Sequence, residues 1–323
     1  MKRRTFGRTG LQVSEVVFGG GWVGGLLIHQ DDDTKLRTLR RAMEAGINLI
    51  DTAPSYGKGE SEKALGWLLK EIYAKPFLST KVMVDAGNPD DLAGQIERSL
   101  HDSLERLNRS SVDLLQLHNP IGSGANALRV DQVTGANGAA RALERLRDQG
   151  LTRFIGMTAL GKREDCRRVI DSGRFDSAQV YYNLLNPSAG RGMPPGWRGH
   201  DFGNLIAACS AQRMAVMAMR VFAAGVLASD ERHGREVIIT EAADLATEQK
   251  RAQAVYAALG ARHGTRAQTA LRFALSNPDI SCAVIGLAEP GHLDEAMAGA
   301  ERGALPPEAL EALEQVYAKN FDL

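Results

Sequence analysis

Apolar residues along this chain follow two alternating periods. Short, nearly continuous runs of Val, Ile, Leu and Ala fall at 16–18, 48–51, 77–81, 112–118, 153–158, 177–182, 215–219 and 282–286. Runs of that length, with few polar interruptions, read as strands buried on both faces. Between them the apolar positions recur every three to four residues. After Asp31, Asp32 and Asp33, for example, Leu36, Leu39, Ala42 and Met43 share one helical face, and Gly46 closes the segment. The same spacing predicts helices at 61–69, 91–107, 139–149, 162–172, 204–212, 245–263, 266–276, 290–299 and 307–318. Gly/Ala/Asn-rich or Pro/Gly-rich stretches at 121–138, 186–203 and 221–240 read as long loops. Residues 2–5 and 11–13 flank Gly7 and Gly10 and read as a small hairpin. Eight strands, nearly all followed by helices and with no break in composition, predict an α/β fold: one (β/α)₈ TIM barrel over residues 1–323 with a short N-terminal β-hairpin.

The ends of three of these runs carry ionisable groups. The run at 48–51 stops at Asp51, and Tyr56 follows on a Pro/Ser/Gly turn, with Ser61 or Glu60 expected as the N-cap of the next helix. The run at 77–81 ends in Lys81, and that at 112–118 ends in His118. Taken singly, Asp51 reads as a cap, Tyr56 as a loop aromatic and His118 as a structural histidine. Together they share the carboxyl-end rim of one barrel, where such folds build their sites. Gly19-x-Gly21-x-x-Gly24 matches a dinucleotide fingerprint, but the next helical pattern starts only near Asp32, so these glycines read as a βα loop.

Composition narrows the function classes. The 323 residues are 44% hydrophobic and 24% charged, with formal net charge +0 and pI ≈ 7.1. That balance offers no electrostatic reason for a nucleic-acid or membrane partner. Lys2, Arg3 and Arg4 are not followed by an apolar stretch of signal-peptide type, and no run has membrane-spanning length. Cys166, Cys209 and Cys282 are an odd, dispersed set, which reads as reduced thiols of a cytoplasmic protein. No His/Cys/carboxylate cluster stands at ligand spacing near His118, so no metal is expected.

Several stretches carry a resemblance. GINLIDTAPSYGKGESEKALG, with its Asp-x₄-Tyr spacing, FLSTKV, DLLQLHNP, RFIGMTAL and DSAQVYYNLLN together resemble the aldo-keto reductase family across nearly the whole chain. The resemblance implies an NAD(P)-dependent oxidoreductase that interconverts carbonyls (aldehydes, ketones or aldoses) and alcohols by hydride transfer, with Tyr56, Asp51, Lys81 and His118 as catalytic residues. The charges are consistent with those roles. A phenol with a reference pKa near 10 is a poor acid at neutral pH, and an adjacent ammonium lowers that value. Asp51 would keep the ammonium paired, and a neutral His118 could donate to the carbonyl oxygen.

The same resemblance places Gly20, Gly21, Asp51, Thr158, Gln179, Met219, Arg220, Gly286, Glu289 and His292 at the cofactor. It places Trp22, Tyr56, His118 and Trp197 around the substrate. Thr158 stands where the family usually has serine, Ala159 where it often has asparagine, and Met219 where a tyrosine commonly stacks on the nicotinamide. Between Ile285 and Ala296 the only full charges are Glu289, Asp294 and Glu295, a set that favours NAD over NADP unless a distant arginine such as Arg220 or Arg272 reaches the 2′-phosphate. The expected partner is a small carbonyl compound or sugar, with no nucleic acid and no membrane, and the oligomeric state is left open. Two rivals share the features. One is a nucleotide-sensing or assembly subunit like the potassium-channel β subunits. The other is an aldolase with a Schiff base on Lys81.

Overall fold

In the computed structural model, which describes residues 1–232, 234–240 and 243–323, the chain starts with the hairpin of β1 (Arg3–Thr5) and β2 (Gln12–Ser14). The barrel strands are β3 (Val16–Gly19), β4 (Leu49–Asp51), β5 (Phe77–Val82), β6 (Val112–Leu117), β7 (Thr152–Ala159), β8 (Ser177–Tyr181), β9 (Ala215–Met219) and β10 (Cys282–Gly286). All eight pair in parallel, and β10 closes on β3. The helices are α1 (Leu26–His29), α2 (Asp32–Glu44), α3 (Glu60–Glu71), α4 (Leu92–Leu107), α5 (Val130–Thr134), α6 (Ala139–Asp148), α7 (Arg163–Asp171), α8 (Leu205–Ala211), α9 (Leu245–Leu259), α10 (Arg266–Ser276), α11 (Pro290–Glu301) and α12 (Pro307–Ala318). The eight strands and the hairpin stand as expected. His233, within the expected 221–240 loop, lies outside the described residues.

Four local expectations are corrected. The N-cap of α3 is Gly59, at φ 93, and neither Ser61 nor Glu60 caps it. A left-handed backbone suits glycine, and Ser61 is turned inward instead, 2.8 Å from the Thr52 hydroxyl. The 121–138 stretch contains the short helix α5, because the Gln132 side chain accepts from the Arg129 N–H and starts a turn. The glycine loop after β3 contains α1, whose Leu26 and Leu27 are buried. Finally, α9 stops at Leu259 rather than 263, where Gly260 takes φ 63.

The barrel interior has two levels, and the strand period of two sets which residue reaches which. The lower level is apolar: Val17, Leu49, Leu114, Ala215, Met217 and Cys282 pack together, with Phe6 of the hairpin closing the end. Two residues further along the same strand faces the lining turns polar, with Asp51, Ser79, Gln116 and Gln179, and it stays polar two residues beyond, at Lys81, His118 and Thr158. The other strand faces pack against the helices in a larger apolar cluster that includes Phe18, Ile50, Leu65, Leu115, Ile155 and Val180. The fold therefore sets an apolar floor under a polar layer toward the carboxyl ends of the strands.

Candidate active site

The rim assembles from β4, β5, β6 and the turn after β4. Gly57 (φ 62), Lys58 (φ 54) and Gly59 (φ 93) run left-handed, which folds the turn back so that Tyr56 faces the barrel mouth. The turn is held from outside. Arg106 lies against Gly59, where an added Cβ would stand 2.7 Å from its Cδ. Its Nε donates to buried Glu62 at 2.7 Å, and Glu62 accepts from the Thr80 hydroxyl at 2.6 Å. Thr80 adjoins Lys81 on β5, so one buried network ties the Tyr56 turn to the lysine strand.

Lys81 is fully buried, and its ammonium uses all three of its N–H groups. It donates to Asp51 Oδ2 at 2.6 Å, to the Thr52 carbonyl at 2.8 Å and to the Tyr56 hydroxyl at 3.2 Å. Burial alone would push this ammonium toward losing its proton. The Asp51 carboxylate, with Tyr56, more than offsets that and holds Lys81 above the ordinary lysine value. Asp51 Oδ1 accepts from Ser79 Oγ at 3.0 Å, Gln116 Nε2 at 3.1 Å and Gln179 Nε2 at 2.8 Å. A charge pair this deep stays ionised only when its remaining lone pairs are met, as they are here.

His118 stands beside Tyr56, edge to face, with ring centroids 6.1 Å apart. Burial in the mouth, with the Lys81 charge adding to it, pushes the imidazole down to about 3, so it is neutral at working pH. Gly21 lies over the Tyr56 ring, where an added Cβ would be 3.8 Å from the phenol carbon, and Trp22 next to it is 43% exposed and packed edge-on to His29. A phenol on a buried ammonium, beside a neutral imidazole at an open mouth, can pass a proton to or from an oxygen held between them.

The other expected residues divide. Gln179 and Thr158 are register partners on β8 and β7, both buried, and Thr158 Oγ1 has no partner in the protein. Met219 ends β9 half-buried beside Tyr181. Arg220 follows it at φ 60, its carbonyl held by Asn183 Nδ2 and its guanidinium donating to the Val237 carbonyl at 2.6 Å. Burial lowers the Arg220 pKa against the pull of Tyr181 and Tyr56. Gly20 approaches Ser61, and Gly286, at the end of β10, faces the backbone of Gly24 in the loop after β3. His292 Nδ1 accepts the Ala288 N–H at 3.2 Å, and its Nε2 is 3.6 Å from Glu289.

Trp197 has its ring contacts at the C-terminal side of the fold. Its ring packs on Phe321 and Arg251, so it anchors the 186–203 loop to the C-terminal segment. Arg272 is unavailable to a phosphate, because it donates to the carbonyls of His263, Gly303 and Ala304 and ties helix ends together. Gly19 and Gly24 serve close packing: added Cβ atoms would lie 2.5 Å from the Ile285 carbonyl and 2.5 Å from the Leu287 nitrogen. Sequence reasoning missed Ser79 and Gln116. The signal for Gln116 was a lone amide inside the apolar run DLLQLH, two residues before His118 and therefore on its face. Among the described residues no group of three or more His, Cys, Asp or Glu could hold a metal, and no helix is long and apolar enough to cross a membrane.

The Aldo/keto reductase family profile matches residues 15–318. L-galactose dehydrogenase of Arabidopsis thaliana is 37% identical over 160 residues, 49% of this chain and 48% of that protein, so the match spans about half of its length. D-threo-aldose 1-dehydrogenase of a Pseudomonas species is 31% identical over 255 residues, 70% of this chain and 71% of that protein. Among solved structures, an aldo/keto reductase from Klebsiella pneumoniae in complex with NADP and acetate superposes with a TM-score of 0.70 over 98% of this chain and 96% of that one, at 20% identity, a likeness of fold.

Proposed function

Because the chain belongs to the Aldo/keto reductase family, we propose that it is an NAD(P)-dependent oxidoreductase interconverting a carbonyl and an alcohol, with Tyr56 as the general acid and base. The observation that carries the reading is the Tyr56 hydroxyl 3.2 Å from an ammonium already committed to Asp51.

The residues present fit a nicotinamide cofactor. The unpartnered Thr158 hydroxyl beside Gln179 offers hydrogen bonds to a carboxamide, and Met219 offers a polarisable face to a ring. Bound there, the dinucleotide supplies or accepts the hydride. Everything else is done by the chain. The substrate carbonyl oxygen lies between the Tyr56 hydroxyl and the His118 imidazole, whose N–H fixes its direction. As the carbonyl carbon gains the hydride, negative charge develops on that oxygen and Tyr56 gives up its proton to it. The phenolate left behind is stabilised by Lys81, and Asp51 keeps Lys81 charged throughout. In the oxidising direction the phenolate takes the alcohol proton. An aldolase role for Lys81 is disfavoured, since an ammonium spending all three N–H groups is not a free amine nucleophile.

Two relatives are named for sugar oxidation, and the mouth beside Trp22 is open, so aldoses and small aldehydes are the proposed substrates. On the adenosine side NAD(H) is the proposed preference, resting on Glu289 at the start of α11 and on His292 engaged by Ala288 and Glu289, since Asp294 is paired with Arg41 and Glu295 accepts from Thr265. The test is a panel of aldehydes, ketones and aldoses with each cofactor, run in both directions and followed by reduced-nicotinamide absorbance. Turnover of one class that is lost in Tyr56→Phe supports the reading. Turnover retained in Tyr56→Phe refutes it.

A further inference from the structure

The contact between Tyr56 and Lys81 joins two pieces of chain that are held separately. Lys81 sits on β5, fixed by Asp51 and the Thr52 carbonyl. Tyr56 sits on the turn after β4, whose own backbone bonds are long: Tyr56 N–H to Ala53 at 3.1 Å, Lys58 N–H to Ser55 at 3.5 Å and Ser61 N–H to Tyr56 at 3.3 Å. Lys58 also holds φ 54 without being a glycine, a conformation that persists only where the surroundings impose it.

The surroundings press on the turn from two sides. α1 sets Ile28 against Gly57, where an added Cβ would stand 3.0 Å from Cγ2. α4 sets Arg106 against Gly59, where an added Cβ would stand 2.7 Å from Cδ and 3.0 Å from Nε. The approach of α4 is written into α3. Gly59 and Gly66 are seven residues apart and share one helical face. A Cβ on Gly66 would stand 2.5 Å from the Arg106 carbonyl oxygen, so both glycines admit the same last turn of α4. From there the guanidinium turns inward. Its Nε donates to Glu62 Oε2 at 2.7 Å and Nη2 to Ser103 Oγ at 3.1 Å, while Glu62 Oε1 accepts from the Thr80 hydroxyl at 2.6 Å. Glu62 and Thr80 are fully buried. Thr80 precedes Lys81 and points to the opposite strand face, so this bond grips the lysine strand from behind.

We propose that Arg106 is a positioning residue for the proton transfer. Through Gly59 it fixes the Tyr56 turn, through Glu62 and Thr80 it fixes the lysine strand, and so it sets the distance between the phenol and the ammonium. It touches neither substrate nor the reacting atoms and works from outside the barrel wall. The stretch GESEKALG carries the receiving half, two glycines and a carboxylate on α3. A buried carboxylate needs its cation, and the apolar stem of that cation lies over Gly59, so one side chain braces both halves of the pair.

This inference rests on the reading of Tyr56 as the acid and base, but one arm of its test needs no turnover. The Tyr56 midpoint is read from near-ultraviolet phenolate absorbance, as the difference between each full-length protein and the same protein carrying Tyr56→Phe. Arg106→Met is expected to raise that midpoint by roughly one pH unit, the attraction lost when a contact of about 3 Å opens by about 1 Å at an effective dielectric constant near 20. For an aldehyde substrate kcat should fall roughly 10- to 100-fold, the scale of a misplacement of about 1 Å, with KM near wild type because no residue of the mouth is replaced. Arg106→Met strands a buried charge on Glu62, so Arg106→Met combined with Glu62→Gln keeps the test usable should the single variant fail to fold: the amide oxygen still accepts from Thr80. The double variant is expected to show the same two changes. Leu100→Ala, a packing loss on the buried face of the same helix, should lower the melting temperature and move neither midpoint nor kcat. A double-variant midpoint equal to wild type overturns the proposal, and so does a Leu100→Ala shift as large as that of the Arg106 variants. If the midpoints move as expected but no carbonyl is turned over, the oxidoreductase reading fails and the brace stands. If carbonyls are reduced and the Arg106 variants keep wild-type kcat and midpoint, the brace fails and that reading stands.

Discussion

Lys81 Nζ lies 3.2 Å from the Tyr56 hydroxyl oxygen and 4.8 Å from the centre of the same ring, so one ammonium meets the phenol both at its edge and over its face. Both contacts set the ammonium beside the oxygen from which a proton would be transferred.

Tyr56→Phe keeps the ring and its edge contact with His118 but removes the transferable proton. Turnover should fall by roughly 10²–10⁴-fold, the usual contribution of a positioned acid or base. Cofactor affinity, measured by fluorescence quenching, should stay near wild type. A parallel fall in cofactor affinity would move the role of Tyr56 from proton transfer to binding.

Lys81→Met leaves the Asp51 carboxylate buried with neutral donors only. Removing one partner of a buried pair costs about 3–5 kcal/mol. Denaturant unfolding should show a loss of that size, and Asp51→Asn added to Lys81→Met should recover part of it. No recovery in the double variant would mean that the pair is not the source of the loss.

His118 has its pKa pushed down to about 3 by burial and by Lys81. The sign follows from linkage: between about pH 6.5 and 3 the unfolded chain binds a proton on this residue that the folded chain does not. This contribution to stability is therefore full above that window and is lost as pH falls through it. His118→Gln should flatten the acid side of a thermal-unfolding series against pH. The wild-type rate profile should show no histidine inflection near pH 6.5. An inflection there that disappears in His118→Gln would show that the imidazole titrates normally.

Fluorescence titration with both dinucleotides should find NAD(H) bound at least as tightly as NADP(H), given the acidic set after β10. NADP(H) binding tenfold tighter, about 1.4 kcal/mol, refutes this. Arg235, whose guanidinium donates to the carbonyls of Val23 and Gly24 beside Leu287, is then the first residue to replace.

The barrel was legible because its strands are short apolar runs cut off by rim residues, and period alone distinguishes them from the helices between. The tetrad was legible for the same reason, as ionisable groups where apolar strands stop. What was not legible depends on packing between distant segments. Ser61 looks like a cap in sequence, and only the closeness of Gly20 and Thr52 turns it inward. Trp197 looks like a pocket wall until Phe321, more than a hundred residues on, claims its face. Arg272 looks like a spare cation until three carbonyls from two other segments converge on it. Gln116 is hidden because a strand's polar residue gains meaning only from the three strands that put Asp51, Ser79 and Gly156 around it.

The apolar floor formed by Val17, Leu49, Leu114, Met217 and Phe6 makes the barrel a blind-ended vessel. At the other end stand Tyr56 and His118, the groups able to exchange a proton with an oxygen in the mouth. If the proposed dinucleotide and substrate stop that neck, a turnover is completed with the protons enclosed when it closed. A solvent isotope effect on the chemical step should then record the deuterium content of the solution in which the mouth shut, not that of a solution added afterwards.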